Sequence, residues 1–158
     1  MKLLDFVCTD ALLANLDSTE RDAVIHEMLD QLIEAGAIEA ELKDELVELI
    51  IERENHGSTG FGKGVAVPHV KHEKITKMSA AVGVSQKGID FNALDKQPVY
   101  SVFMLLSPKD QTDEHLQAME NIFTNLQKNQ FRRFLRQATT AGEIKDLLHE
   151  ADTQQLPG

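Results

Sequence analysis

The segment from Val99 to Leu106 limits the possible folds of this chain more than any other. Seven of its eight residues are apolar, and Pro98 and Pro108 lie on either side of it. Such a run predicts a central β-strand that is buried on both faces. Shorter strands are predicted at 65–67, 78–84 and 88–91, and residues 3–8 are predicted to be a short strand or an extended lead-in. Helical patterns lie before and after the central group of strands. The predicted fold is therefore α/β: a single domain in which helices cover both faces of a mixed β-sheet.

Five helices are predicted from apolar positions at helical spacing. They cover about 18–35, 39–53, 110–126, 129–137 and 140–149. Asp17 or Ser18 is expected to cap the first helix, and Gly36 is expected to end it. The domain is predicted to span residues 1–151, with a flexible C-terminal tail at 152–158.

Charge and composition exclude several classes of protein. The chain has 158 residues and a formal net charge of −10, from 26 acidic and 16 basic residues. This charge argues against binding to nucleic acid or to an anionic membrane surface, and it suits a partner protein with a basic patch. Cys8 is the only cysteine, which rules out an internal disulfide and fits a reducing compartment. No apolar run is long enough for a signal peptide or a membrane span, so a cytoplasmic protein is expected.

Residues 53–72 have the composition of a functional loop. Four glycines, two hydroxyl residues, three histidines and an arginine fall within these twenty positions. Glycines let backbone N–H groups approach an anion. Pro68 is expected to end the short strand 65–67, because proline cannot donate to a sheet. His69 is thus predicted to lie at a strand edge, beside a loop rich in hydrogen-bond donors.

His69 is a candidate nucleophile toward phosphorus. A neutral imidazole can attack phosphorus when one nitrogen is free and the other is held as a donor. Arg53, Ser58, Thr59 and glycine amides such as that of Gly60 are suitable partners for a phosphoryl group. The alternative is a structural histidine that closes a strand through a backbone hydrogen bond. Lys63 lacks the Gly-Lys-Ser/Thr ending of a P-loop, so ATP binding is not expected at this loop.

Two more histidines bear on this site. His115 lies in the first turn of the helix after the central strand, where its side chain could reach the same edge of the sheet. The alternative is an exposed helical histidine. His72 is either an exposed loop residue or, with His69 and His115, part of a metal site. The ligand spacings of the commoner zinc sites are absent, so neither a metal nor a cofactor is predicted.

The segment Gly57 to His69, Gly-Ser-Thr-Gly-Phe-Gly-Lys-Gly-Val-Ala-Val-Pro-His, resembles a known active-site signature. It is similar to that of the enzyme IIA component, fructose/mannitol type, of the bacterial phosphoenolpyruvate-dependent phosphotransferase system. The segments 95–99, 107–112 and 115–116 also match, and the resemblance covers nearly the whole chain. Within the family, the chain looks most similar to the nitrogen-regulatory branch, whose domain is not fused to a sugar permease.

The resemblance implies a phosphotransferase with a phosphohistidine intermediate. It also implies a fold in which helices cover both faces of a mixed sheet. His69 would be phosphorylated, and His115 would stabilise the phosphoryl group. Arg53, Ser58, Thr59 and Gly60 would lie on the phosphate side. A small histidine-containing phosphocarrier protein would be the donor, and an enzyme IIB or a regulated transporter or kinase would be the partner downstream.

One residue departs from the family pattern. Val70 follows the signature histidine, where family members usually have glycine or another small residue. A β-branched residue disfavours positive φ and adds bulk beside the site. The sequence therefore also allows a non-catalytic interaction module with the same fold.

Overall fold

A computed structural model of the protein describes residues 1–153. Five strands form one sheet: β1 (Val7–Leu13), β2 (Val65–Ala66), β3 (His69–His72), β4 (Ser79–Ile89) and β5 (Val99–Pro108). The α-helices are α1 (Arg21–Glu34), α2 (Lys43–His56), α3 (Thr112–Leu126), α4 (Asn129–Gln137) and α5 (Ala141–Thr153). Short 3₁₀ turns at Leu3–Asp5 and Ala40–Leu42 precede β1 and α2. None of the helices within residues 1–153 has the length and apolar character needed to cross a membrane.

Strand β5 lies inside the sheet, as its apolar run predicts. It pairs antiparallel with β4 on one side, and parallel with both β2 and β3 on the other. Strand β1 pairs parallel with β4 and forms the opposite edge. The predicted mixed sheet with helices on both faces is therefore confirmed.

Two apolar layers lie on opposite faces of the sheet. The first joins α1 and α2 to one face of β5, which contributes Val102, Met104 and Leu106. The second joins α3, α4 and α5 to the other face, which contributes Phe103 and Leu105. Because side chains alternate along a strand, even-numbered residues of β5 pack against one helical layer and odd-numbered residues against the other.

The edge strand beside β5 is interrupted but stays in register. Val65 is opposite Ser101 and His69 is opposite Leu105, so both pairs are 36 positions apart along the chain. Pro68 lacks an N–H, yet its carbonyl accepts a hydrogen bond from the N–H of Leu105 at 3.0 Å. As expected, the first short strand does not continue through Pro68, because β2 ends at Ala66. The chain then resumes pairing on the same line as β3, with His69 as its first residue.

The start of the first helix was predicted wrongly. Helix α1 begins at Arg21 and not directly after Asp17 or Ser18. The backbone N–H groups of Asp17 and Ser18 instead donate to the carboxylate of Glu27, both at 3.0 Å. This carboxylate lies within α1, and it keeps the segment before the helix out of the helical conformation. At the other end Gly36 (φ 78°) follows the helix as expected, and its N–H donates to the carbonyl of Ile33.

The observed bounds of two strands differ from the predicted ones at exposed residues. The first strand was expected at 3–8, but β1 continues to Leu13 through Thr9 and Asp10, which are exposed because β1 is an edge strand. The two strands predicted at 78–84 and 88–91 form one strand, β4. Its exposed Gln86 and Lys87 lie where its pairing with β5 becomes irregular.

The C-terminal helix extends further than predicted. Asp152 was assigned to the flexible tail, but it lies in α5, and its carboxylate accepts the N–H groups of Leu3 and Leu4 at 2.7 and 3.0 Å. These bonds tie the last helix to the start of the chain. Residues 154–158, the rest of the predicted tail, lie outside the described residues.

Candidate functional site

His69 is held by its own strand. The Nδ1–H of its ring donates to the carbonyl of Val67 at 2.8 Å, which leaves Nε2 as the nitrogen with a free lone pair. Burial lowers the pKa of His69, and the nearby positive charges of Arg53 and Lys71 lower it further. The hydrogen bond to Val67 and the negative charge of Glu54 act in the opposite direction. The result is a half-buried imidazole that is neutral at neutral pH.

His115 faces His69 across the end of β5. The two ring centroids are 5.6 Å apart, and the rings are tilted by 53°. His115 lies in the first turn of α3 and is 5% exposed, so it is not the exposed helical histidine that was the alternative. Burial, followed by the charges of His69 and Lys71, lowers its pKa to about 4.

A hydroxyl group fixes the tautomer of His115. Ser107 Oγ lies 2.6 Å from His115 Nδ1, and Ser107 is fully buried. Among the described residues Ser107 Oγ has no other hydrogen-bond acceptor, and a buried hydroxyl without an acceptor would be costly. Ser107 therefore donates to Nδ1, and His115 carries its proton on Nε2, the nitrogen that is available to a ligand.

A buried carboxylate anchors the glycine loop. Glu54, in the last turn of α2, is 3% exposed and accepts two hydrogen bonds from Thr59. The Thr59 N–H donates to Oε1 at 3.0 Å, and the Thr59 hydroxyl donates to Oε2 at 2.6 Å. The Thr59 hydroxyl proton is thus directed toward Glu54, so Thr59 holds the loop in position.

Ser58 and Gly60, on either side of Thr59, form a local turn. The N–H of Gly60 donates to Ser58 Oγ at 3.0 Å, so that hydroxyl keeps its own proton for another acceptor. The carbonyl of Gly60 accepts the N–H of Leu94 at 2.8 Å. A Cβ on Gly60 would lie only 3.0 Å from the Cβ of Ala93, so the close contact between these two segments requires glycine.

Arg53 lies at the edge of the site. One of its Nη atoms donates to the carbonyl of Gly57 at 2.8 Å, at the C-terminal end of α2. The guanidinium is exposed, and its charge is close enough to lower the pKa of His69. A guanidinium with this placement still has donors for an anion bound beside His69.

His72 does not belong to this cluster. It lies three positions after His69 in β3, so its side chain is on the opposite face of the sheet. There its Nε2 contacts Glu45 Oε1 at 2.9 Å, and its Nδ1 accepts the N–H of Lys74 at 3.0 Å. His72 is 6% exposed, so the interpretation as an exposed loop histidine was wrong. Within residues 1–153 no group of three or more potential ligands is arranged to hold a metal ion.

Val70 fits its position without strain. It lies in β3, opposite Leu106, and packs against the layer of α1 and α2. Its φ is not among the positive values, which outside glycine are found at Lys63, Asn92 and Lys96 in the described part of the chain. The side chain of Val70 therefore points away from the face that carries His69 and His115.

Three groups in this arrangement were not identified from the sequence. They are the carbonyl of Val67, the hydroxyl of Ser107 and the carboxylate of Glu54. Of these, Ser107 had a sequence signal, because it lies at the end of a buried strand eight residues before His115.

Two leucines are exposed at the rim of the site, Leu94 (65%) beside Gly60 and Leu116 (60%) beside His115.

Comparison with known proteins gives a consistent result. Residues 6–151 match the profile of the family described as "Phosphoenolpyruvate-dependent sugar phosphotransferase system, EIIA 2". The fructose-specific EIIABC component of Bacillus subtilis is 32% identical over 152 residues, which are 96% of this chain and 24% of that protein. The nitrogen regulatory protein of Escherichia coli is 37% identical over 131 residues, which are 82% of this chain and 79% of that protein. The chain thus spans about a quarter of the first relative and most of the second.

Solved structures share the fold. The nitrogen regulatory protein IIA-Ntr from Neisseria meningitidis superimposes with a TM-score of 0.81 at 24% identity, covering 91% of this chain and 97% of that one. Enzyme IIA of the mannitol system from Escherichia coli, solved in complex with phosphorylated enzyme IIB, gives a TM-score of 0.72 at 18% identity, covering 89% and 94%.

Proposed function

Because this chain belongs to the EIIA type 2 family of the phosphoenolpyruvate-dependent sugar phosphotransferase system, we propose that it carries a phosphoryl group on His69. The group would be accepted from a histidine-containing phosphocarrier protein, and then passed on or used to regulate partners. The observation that supports this most directly is the hydrogen bond from His69 Nδ1 to Val67, which directs the lone pair of Nε2 away from the strand.

The chemical step is an exchange of one P–N bond for another. The lone pair of His69 Nε2 attacks the phosphorus atom of the donor's phosphohistidine. A new N–P bond forms while the donor's N–P bond breaks, and the electron pair returns to the donor's imidazole. A general base is not needed, because Nε2 carries no proton before the attack.

His115 is the proposed stabiliser of the transferred group. Its Nε2–H, set by the hydrogen bond from Ser107, can donate to a phosphoryl oxygen on His69. With a pKa of about 4 the ring is neutral at physiological pH, so it donates a hydrogen bond without adding a full charge. Such a fixed donor does not have to reorganise during transfer.

Arg53 and Ser58 are proposed as the remaining phosphate-side groups. The guanidinium provides the positive charge, and the Ser58 hydroxyl retains a free proton. Thr59 and Gly60 would contribute by holding the loop, through Glu54 and through the contact with Ala93. Phosphorylation would add about two negative charges to this surface.

Partner proteins are proposed to dock over the rim formed by Leu94 and Leu116. Both leucines are exposed and neighbour the site, and apolar residues of this kind are suited to the centre of an interface. Since the chain is acidic overall, a donor or acceptor with a basic surface would be steered to it, and the association rate would fall with added salt. The mannitol enzyme IIA, which has the same fold, was solved with its phosphorylated enzyme IIB, and an enzyme IIB is one candidate acceptor here.

The downstream role has two candidates with equal support in the relatives' names. One group is named for fructose transport and the other for nitrogen regulation. The nitrogen-regulatory role is our preferred proposal, because the nitrogen regulatory protein of Escherichia coli is 37% identical to this chain. The fructose-specific EIIA component of Haloferax volcanii, matched over a similar share of its own length (83% against 79%), is 31% identical.

Intact-mass analysis after incubation with phosphoenolpyruvate, enzyme I and the phosphocarrier protein tests this proposal. Wild type should gain one acid-labile phosphoryl group, and His69→Ala should gain none. His149→Ala is the control, since His149 is an exposed histidine of α5. If wild type takes up no phosphate while a reference enzyme IIA is labelled in parallel, the protein is a non-catalytic module.

A further inference from the structure

A cleft separates the glycine loop from helix α4. It has a volume of about 800 Å³, within the range of ~300–1,000 Å³ that is usual for small-molecule sites. Its walls are formed by residues 63–65 of the loop, the start of β5 around Tyr100, and the side chains of α4. None of the groups proposed for phosphotransfer lines it. The cleft is therefore a separate candidate site.

Positive charge is concentrated in this cleft although the chain is acidic. Four basic side chains line it, and Asp95 is the one carboxylate in its described lining; the four are Lys63, Arg132, Arg133 and Arg136. These are a quarter of the 16 basic residues in a chain whose net charge is −10. A local excess of this kind, inside a concave surface, attracts anions.

Tyr100 and Arg136 form a stacked platform in the cleft. The guanidinium carbon of Arg136 lies 3.5 Å from the centroid of the Tyr100 ring. Gly88, which has a positive φ, makes room for this ring: a Cβ there would lie 3.2 Å from one of its carbon atoms, closer than an ordinary van der Waals contact. The platform is thus built into the fold, because a larger residue at position 88 would press against Tyr100.

The basic groups divide into bound and available ones. Arg132 donates to the carbonyl of Leu126 and to the side chain of Asn129, so it is held in place by the end of α3. The Arg136 guanidinium stacks on a ring and makes no hydrogen bond within the described residues, so its N–H groups remain available. Lys63 donates to the side-chain carbonyl of Gln127 at 3.1 Å, and this solvent-exposed hydrogen bond can be exchanged for one to a ligand.

We propose that this cleft binds a small organic anion that carries two or more phosphate charges. Arginine recognises phosphate through paired N–H donors, and the stacked platform offers a flat surface for a ring of the same ligand. The amide side chains of Gln97 and Gln137 also line the cleft and can bond to neutral polar groups. The site does not depend on the function proposed for His69.

The test is an NMR titration of the ¹⁵N-labelled full chain with ATP and, separately, with inorganic pyrophosphate, both without divalent metal. Backbone shifts should be confined to residues 63–65, 100–101 and 132–137. If both probes bind equally, the phosphates alone are recognised; if ATP binds more tightly, the platform also holds the base. Either result supports the proposal.

Matched variants separate this site from general attraction to positive charge. Arg136→Gln should weaken binding about tenfold, as expected for the loss of a charge-assisted phosphate contact. Lys77→Gln is the control, because it makes the same charge change in the exposed segment before β4, at the opposite end of the sheet. Equal weakening by both variants, shifts spread over all basic residues, or no shifts at millimolar ATP would overturn the proposal.

Discussion

The Nδ1–H of His69 donates to the backbone carbonyl of Val67, two residues earlier along the same edge of the sheet, at 2.8 Å. Because Val67 and His69 lie on either side of Pro68, whose ring restricts the backbone, the carbonyl of Val67 is held within reach of the imidazole. No side chain is needed to orient the imidazole. This arrangement determines which of its two nitrogens can react.

We expect the phosphoryl group to be carried on Nε2 of His69. Long-range ¹H–¹⁵N NMR spectra of the phosphorylated protein distinguish the two ring nitrogens by their shifts. Phosphorylation on Nδ1 would contradict this prediction, since it would require the hydrogen bond to Val67 to break.

His115→Ala should still be phosphorylated on His69, but about 10- to 100-fold more slowly, as expected for the loss of one hydrogen bond to a charged group. Rapid-quench labelling with the phosphocarrier protein measures the rate. His26→Ala, which changes an exposed histidine of α1, should match wild type. An unchanged rate in His115→Ala would remove His115 from the site.

Acidification should destabilise the protein partly through His115. The unfolded chain takes up this proton near pH 6.5, whereas the folded chain takes it up only at about pH 4. The unfolded state therefore binds more protons across this window, and stability is lost as the pH falls from 6.5 toward 4. Urea unfolding at several pH values should give a flatter pH dependence for His115→Asn than for wild type. Parallel curves would show that His115 titrates normally in the folded protein.

Glu54→Ala should lower the free energy of unfolding by about 1–3 kcal/mol, because it leaves the N–H and the hydroxyl of Thr59 without partners. The loop would lose its anchor, so phosphorylation of His69 should also slow. Glu52→Ala, at an exposed position of the same helix, should change neither property. Equal stability of the two variants in urea would show that Thr59 finds other partners.

Gly60→Ala and Gly57→Ala should differ sharply. A Cβ on Gly60 would lie 3.0 Å from the Cβ of Ala93 and 3.2 Å from its Cα, whereas a Cβ on Gly57 meets nothing within 4 Å. We expect Gly60→Ala to cost about 1–3 kcal/mol of stability through overpacking. Gly57→Ala should be close to wild type, since its backbone is extended. Thermal unfolding of the two proteins makes the comparison.

The layers of the fold could be predicted from the sequence because they depend on local patterns. The apolar run in β5 and the helical spacing in α3 and α4 indicate a sheet between helices, and both the mixed sheet and the family resemblance are confirmed. The start of α1 could not be predicted, because Glu27 binds the backbone of residues ten and nine positions earlier. Such a contact depends on the folded chain and leaves no local pattern.

The candidate site was predictable only in part. The glycines and the proline drew attention to His69, and the position of His115 at a helix start suggested that it could approach. Among their partners, only Ser107 had a sequence signal, from its place at the end of the buried strand. Glu54 could not be deduced, because it has the appearance of an ordinary helical glutamate. His72 was misjudged because its distance from His69 along the chain is short, whereas the sheet separates their side chains.

Because β2 and β3 pair with β5 in one continuous register, the position of His69 depends on the number of residues between these two strands. An odd and an even change in that number have different effects. Inserting one residue between Ala66 and His69, with β3 still paired, would turn the imidazole to the opposite face of the sheet, toward α2. Inserting two residues would restore the face but would move His69 two positions along β5, away from its place opposite Leu105. The four residues from Ala66 to His69 therefore behave as a spacer of fixed length.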